Sequence, residues 1–147
     1  MKQTVVLRSK DAIGGDWSNC TLELGQNFLQ NHKQYLCKLN YFFCRSPSVD
    51  FSGKYVELVI EGMSQPTTFH KRGGNPPFTI FENVSAASEP MLFRPSYDES
   101  KIVSLNQNIL TVKLFDAQTG SLLGTSLAEQ GPVDRWIMEL EFVDVTP

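Results

Sequence analysis

Two histidines, three cysteines and a scatter of carboxylates carry most of the reactive chemistry in this sequence, and their spacing limits what they can do. His32 and His70 stand 38 residues apart, so the two-histidine cluster on one strand that a metal-binding double-stranded β-helix enzyme carries is missing. No Gly-x-Ser-x-Gly elbow, His-Glu-x-x-His helix or Walker loop occurs, and Ser52-Gly53-Lys54 lacks the upstream glycine that a phosphate cradle needs. Asp98-Glu99 and Glu139/Glu141 have the composition of an acid/base dyad. The alternation around Glu139 and Glu141 instead predicts a solvated outer face. The expectation is a protein with no catalytic residue, no metal site and no bound cofactor.

Cys20, Cys37 and Cys44 are odd in number, so they cannot all pair within one chain, and they form neither a CxxC pair nor a zinc knuckle. Cys20 and Cys37 fall at alternating apolar positions, where a free thiol packs as a small hydrophobe in a reducing compartment. Asn19-Cys20-Thr21 and Asn83-Val84-Ser85 match the glycosylation pattern, which matters only on a secretory route. The first residues, Met1 to Arg8, lack an apolar stretch of signal-peptide length, so no secretion is expected.

Two places remain as candidate contact sites. Phe69-His70-Lys71-Arg72-Gly73-Gly74-Asn75 sets cations beside glycines able to form an anion-binding nest, or else is a surface loop with solvated charges. Trp17, beside Gly14-Gly15-Asp16, is either an exposed aromatic for a sugar or protein contact, or a loop side chain folded back to close the end of the fold. Tyr97 is a further exposed-aromatic candidate.

The elements that must position these residues are strands. Thr4–Arg8, Asn19–Leu24, Tyr55–Glu61, Ile102–Leu105 and Ile109–Phe115 read as strands, with Phe78–Phe81 and Met91–Phe93 as shorter ones. In Tyr55–Glu61, Val56, Leu58 and Ile60 point inward and Glu57 and Glu61 outward. Asp11 to Ser18 reads as a loop. Lys33 to Phe43 fits two periods: Tyr35, Cys37, Leu39, Tyr41 and Phe43 alternate, while Leu36, Leu39 and Phe42 fit a helical stripe. The helical stripe takes in Phe28, Leu29 and Tyr35 as well; aromatic enrichment favours the strand, and a helical turn can precede it at Gln26 to Asn31. The tail from Asn108 to Val143 reads as two strands around one turn at Asp116 to Gly120. In its last strand Trp136, Met138, Leu140 and Phe142 share the core face.

About eight to ten strands with turn signals between them and no long amphipathic helix predict an all-β sandwich or barrel, one domain over residues 1–147. At 147 residues the chain needs no disulfide or metal to build its core. A net charge of -3 disfavours a sequence-independent grip on nucleic acid, and no apolar run approaches the roughly 20 residues that cross a bilayer.

Val5-Val6-Leu7-Arg8-Ser9-Lys10-Asp11, a Gly-rich gap and Asn19-Cys20-Thr21-Leu22-Glu23-Leu24 resemble the opening of the single jelly-roll penton and minor capsid proteins. These belong to large icosahedral double-stranded DNA viruses, virophages and related transposon-like elements. Leu110 to Asp116, Thr119-Gly120 and Trp136 to Phe142 resemble their closing strands. The segment Phe43-Cys44-Arg45 departs from the expected ending of the third strand. The resemblance implies a single jelly roll of about eight antiparallel strands in two sheets. It further implies a homo-oligomer, a pentameric vertex or a minor component, located in the virion with other capsid proteins as partners. The alternative expectation is a carbohydrate-binding jelly-roll module, in which exposed aromatics would stack on sugar.

Overall fold

A computed structural model describes residues 2–25, 29, 33–45, 55–66, 76–82, 91–95, 100–123 and 135–145. The strands are β1 (Lys2–Arg8), β2 (Gly14–Asp16), β3 (Asn19–Glu23), β4 (Gln34–Cys44), β5 (Tyr55–Glu61), β6 (Met63–Ser64), β7 (Thr79–Glu82), β8 (Met91–Phe93), β9 (Ser100–Leu105), β10 (Ile109–Asp116) and β11 (Trp136–Asp144). One 3-10 turn, Ser9–Asp11, interrupts them. The expected helical turn at Gln26 to Asn31 lies outside the described residues apart from Leu29.

The strands form two antiparallel sheets, one ordered β1-β11-β4-β9-β6 with β8 also on β4, the other β2-β3-β10-β5-β7. Leaving aside the short β2, β6 and β8, the chain makes four pairs nested inside one another: β1 with β11, β3 with β10, β4 with β9 and β5 with β7. A long double ribbon rolled over on itself brings β11 against β4 and β10 against β5. This is the jelly roll. Successive β1, β3, β4 and β5 alternate between the sheets.

Both sheets turn one face inward. Leu58, Ile60, Leu110 and Leu114 from one sheet, with Leu105, Met138 and Leu140 from the other, are all below 2% exposed. Each such side chain contributes roughly 1.5–3 kcal/mol on burial. Period-two alternation puts them there: β10 and β11 bury every second residue along their length.

Several sequence expectations change. The two tail strands do not pair; β10 lies in one sheet and β11 in the other. The turn after β10 is real, since Asp116 N–H donates to Ser121 O at 2.8 Å and Gly120 N–H to Asp116 O at 2.8 Å. What it leads to is the short return at Leu122, bridged to Phe115. The segment Asp11 to Ser18 holds the short strand β2, paired with β3. Gly15 sits at φ +89 there, and a Cβ would meet Asn19 O at 2.0 Å, so only glycine fits.

The ambiguity in β4 has a physical cause. Its register with β11 shifts between Glu139 and Leu140, with Tyr41 opposite the first and Leu39 opposite the second. Asn40 is the extra residue of a β-bulge. Inward residues are therefore Tyr35, Cys37 and Leu39 before the bulge, and Phe42 and Cys44 after it. Tyr41 and Phe43 face outward, contrary to unbroken alternation. The three-residue step from Leu39 to Phe42 that resembled a helical stripe is the bulge. Glu57 is on the outer face as expected, yet only 6% exposed; it stands in a row with Phe115 and Ile80.

Candidate functional site

Trp17 is buried rather than exposed. It occupies the tip of the β2–β3 hairpin, where Asp16 faces Asn19, and Asp16 Oδ1 accepts from Ser18 N–H at 2.9 Å and from the Ser18 hydroxyl at 3.1 Å. That side-chain-to-backbone turn presses the tip inward, leaving Trp17 1% exposed. The tip then bridges the two sheets. Trp136 Nε1–H on β11 donates to Trp17 O at 2.6 Å, while Leu114 N–H on β10 donates to Ser18 O at 2.9 Å. The fold-back alternative for Trp17 is the one observed, and no exposed ring is left there to stack on a sugar.

An aromatic cluster continues the same closure. Phe42 stacks on Trp136 with centroids 6.3 Å apart and tilts against Phe81 at 5.7 Å, and Phe81 stacks on Phe93 at 4.3 Å. Ser9 Oγ accepts from Arg135 N–H at 2.7 Å and Trp136 N–H at 3.2 Å, and Arg45 N–H donates to Arg135 O at 2.8 Å. The start of β11 is thereby tied to the ends of β1 and β4.

His70, Lys71, Arg72 and the rest of Phe69–Asn75 lie outside the described residues, as does Tyr97. The residues that flank the basic segment are described, and they hold a pair of side chains that sequence reading missed. Gln65 Nε2–H donates to Pro76 O at 3.2 Å. Lys101 on β9 donates from Nζ to Pro77 O at 3.5 Å and to Phe78 O, and its ammonium lies 5.2 Å from the Phe78 ring centroid. Lys101 shares the inward face with Val103 and Leu105. Starting the strand at Ile102 hid that alternation; starting it at Ser100 would have exposed the inward cation.

A groove of about 420 Å³ runs beside β1 at the open side of the sandwich, lined among others by Val5, Leu7, Arg8, Leu22, Glu23 and Leu24. β1 pairs only with β11 among the described residues. Among the described strands it is the longest that ends a sheet. The other sheet ends, β2, β6 and β7, are three, two and four residues long, whereas β1 has seven residues, with Val6 46% exposed. Short edges resist strand addition and long ones permit it.

Glu139 and Glu141 keep their outward reading. Asn40 Nδ2–H donates to Glu139 Oε2 at 2.8 Å, and Lys2 Nζ lies 3.1 Å from Glu141 Oε1; each carboxylate is engaged separately. Among the described residues no three His, Cys, Asp or Glu side chains are grouped to hold a metal ion, and no helix is long and apolar enough to cross a membrane. Cys20, Cys37 and Cys44 are free and buried, with burial pushing each thiol up. No protein-family model matches the chain, and no curated protein matches it.

Proposed function

We propose that this chain is a viral capsid structural protein, a single jelly-roll subunit that joins copies of itself and other capsid proteins in an icosahedral shell, as the pentameric vertex protein or a minor component. The observation that carries the reading is the filled interior: the space between the sheets is occupied by Leu58, Ile60, Met91, Leu105, Leu110, Leu114, Met138, Leu140 and the two tryptophans, each below 2% exposed. A roll packed through its centre is a rigid frame, and it acts through its outer surface and loops. The long β1 edge with its groove offers one such surface. Head-to-tail contacts among five copies close a ring without any catalytic residue. On this reading the protein is made inside the host cell and resides in the virion.

The test is the assembly state of the purified chain, by native mass spectrometry and electron microscopy. Fivefold rings, or the chain present at a few copies per purified particle, are expected. A strict monomer whose melting temperature rises with glycans overturns the reading in favour of a sugar-binding module. Replacing Lys71 and Arg72 by alanine should leave folding intact and weaken assembly; unchanged assembly removes that segment as a contact.

A further inference from the structure

Gln65 is 6% exposed, and its Oε1 is the one buried side-chain N or O atom among the described residues that has no hydrogen-bond partner. Turning the amide over does not help, because Oε1 would then face Pro76 O and leave Nε2 unpaired. An orphaned buried carbonyl is costly, so a donor is expected beside it. Among the described residues, those of the 76–78 segment present acceptors to Gln65 and Lys101. Pro76 and Pro77 carry no N–H, and Phe78 N–H is spent on Leu58 O at 2.7 Å. Three successive carbonyls, Pro76, Pro77 and Phe78, thus crowd the place where Gln65 and Lys101 arrive from the edge of the other sheet. A metal cation would satisfy the oxygens, but the Lys101 ammonium already places a positive charge on two of these carbonyls and repels another.

We propose that an enclosed water molecule binds here, donating one hydrogen to Gln65 Oε1 and the other to a second lone pair on one of the three carbonyls. Gln65, the water and Lys101 then form a polar staple at the edge of the sandwich opposite β1, joining the β6–β9 edge of one sheet to the segment entering β7 in the other. The staple also draws Gln65 and Pro76 together, and so fixes the two ends of the connection that carries His70, Lys71 and Arg72. This holds whatever that connection touches, so it does not depend on the capsid reading.

A crystal structure of the full chain at better than about 2 Å should show a solvent peak within hydrogen-bond distance of Gln65 Oε1 and of one carbonyl among residues 76–78. An empty site, or Oε1 bonded to a protein donor, overturns the proposal. Gln65→Met keeps the length of the side chain and removes both polar atoms. With the water in place, amide exchange at Phe78 should speed about tenfold in Gln65→Met, a loss of about 1.4 kcal/mol of protection. Unchanged or slower exchange would mean that methionine relieved an unsatisfied oxygen, and would overturn the proposal.

Discussion

Cys20, Cys37 and Cys44 point into the space between the sheets, and burial raises all three thiols, Cys20 from an ordinary value of 9.0 to about 12. For Cys20 the nearby Asp16 adds to the rise; for Cys37 and Cys44, Lys101 and Arg135 oppose it weakly. A folded-state value above the unfolded one means that the folded protein holds protons the unfolded chain releases. The stability is therefore fully present below pH 9 and falls as pH rises above it, by at most about 1.4 kcal/mol per pH unit for each thiol. Urea unfolding midpoints between pH 8 and pH 10.5 should fall accordingly, and a Cys20→Ala, Cys37→Ala, Cys44→Ala variant should lose that part of the slope. A wild-type midpoint that stays level above pH 9 would show that the thiols are not buried as described. At these positions each thiol packs as a small apolar side chain.

At the level of elements, β4 is the strand whose behaviour is least ordinary. From Tyr35 to Cys44 it lies against β11 along one edge, while β9 and β8 share the other, β9 opposite Gln34 to Lys38 and β8 opposite Phe42 to Cys44. The bulge at Asn40 falls in the gap between β9 and β8, so only the β11 edge has to absorb it. Its side chain reaches back to Glu139. Deleting Asn40 leaves Leu39 inward, Tyr41 outward and Phe42 inward, an unbroken alternation; the shortened protein should fold. Deleting Lys38 instead turns Leu39 outward and brings Asn40 to the core face, a change on the scale of losing a buried leucine, about 2–5 kcal/mol. Circular dichroism and urea unfolding of the two deletions should separate them, and equal stability would disprove the assigned bulge. The neighbouring β5–β6 turn has a stricter demand: Gly62 sits at φ +102, with a Cβ position 2.5 Å from Ile109 O.

For the molecule as a whole, the nested pairing makes the last strand indispensable. β11 lies between β1 and β4, so the first strand has no neighbour in its sheet until residues 136–144 are in place. A chain ending at Arg135 should show no cooperative unfolding transition, since it lacks Trp136, Met138, Leu140 and Phe142 from the core and leaves β1 detached; a cooperative melt would contradict the topology. Much of this architecture was legible in the residues. Period-two runs placed β3, β5, β10 and β11, and for β5 and β11 the core face as well, because alternation is a local property that each strand carries by itself. The all-β class and the jelly roll followed from the count of such runs and from the resemblance at the two ends. The partners were not legible, because pairing between residues as distant as Val5 and Leu140 depends on how the ribbon rolls. Nor was the fate of Trp17: a tryptophan beside glycines reads the same whether it faces solvent or is drawn inward by Asp16 and held by Trp136. The sequence by itself determined which residues prefer a pleated, half-buried surface and that no Gly-x-Ser-x-Gly, His-Glu-x-x-His or Walker pattern occurs. Only the tertiary structure decided that the two tail strands belong to opposite sheets, that Asn40 shifts the phase of β4, and that Gln65 and Lys101 meet over three carbonyls, because each of these rests on contacts between segments far apart in the chain.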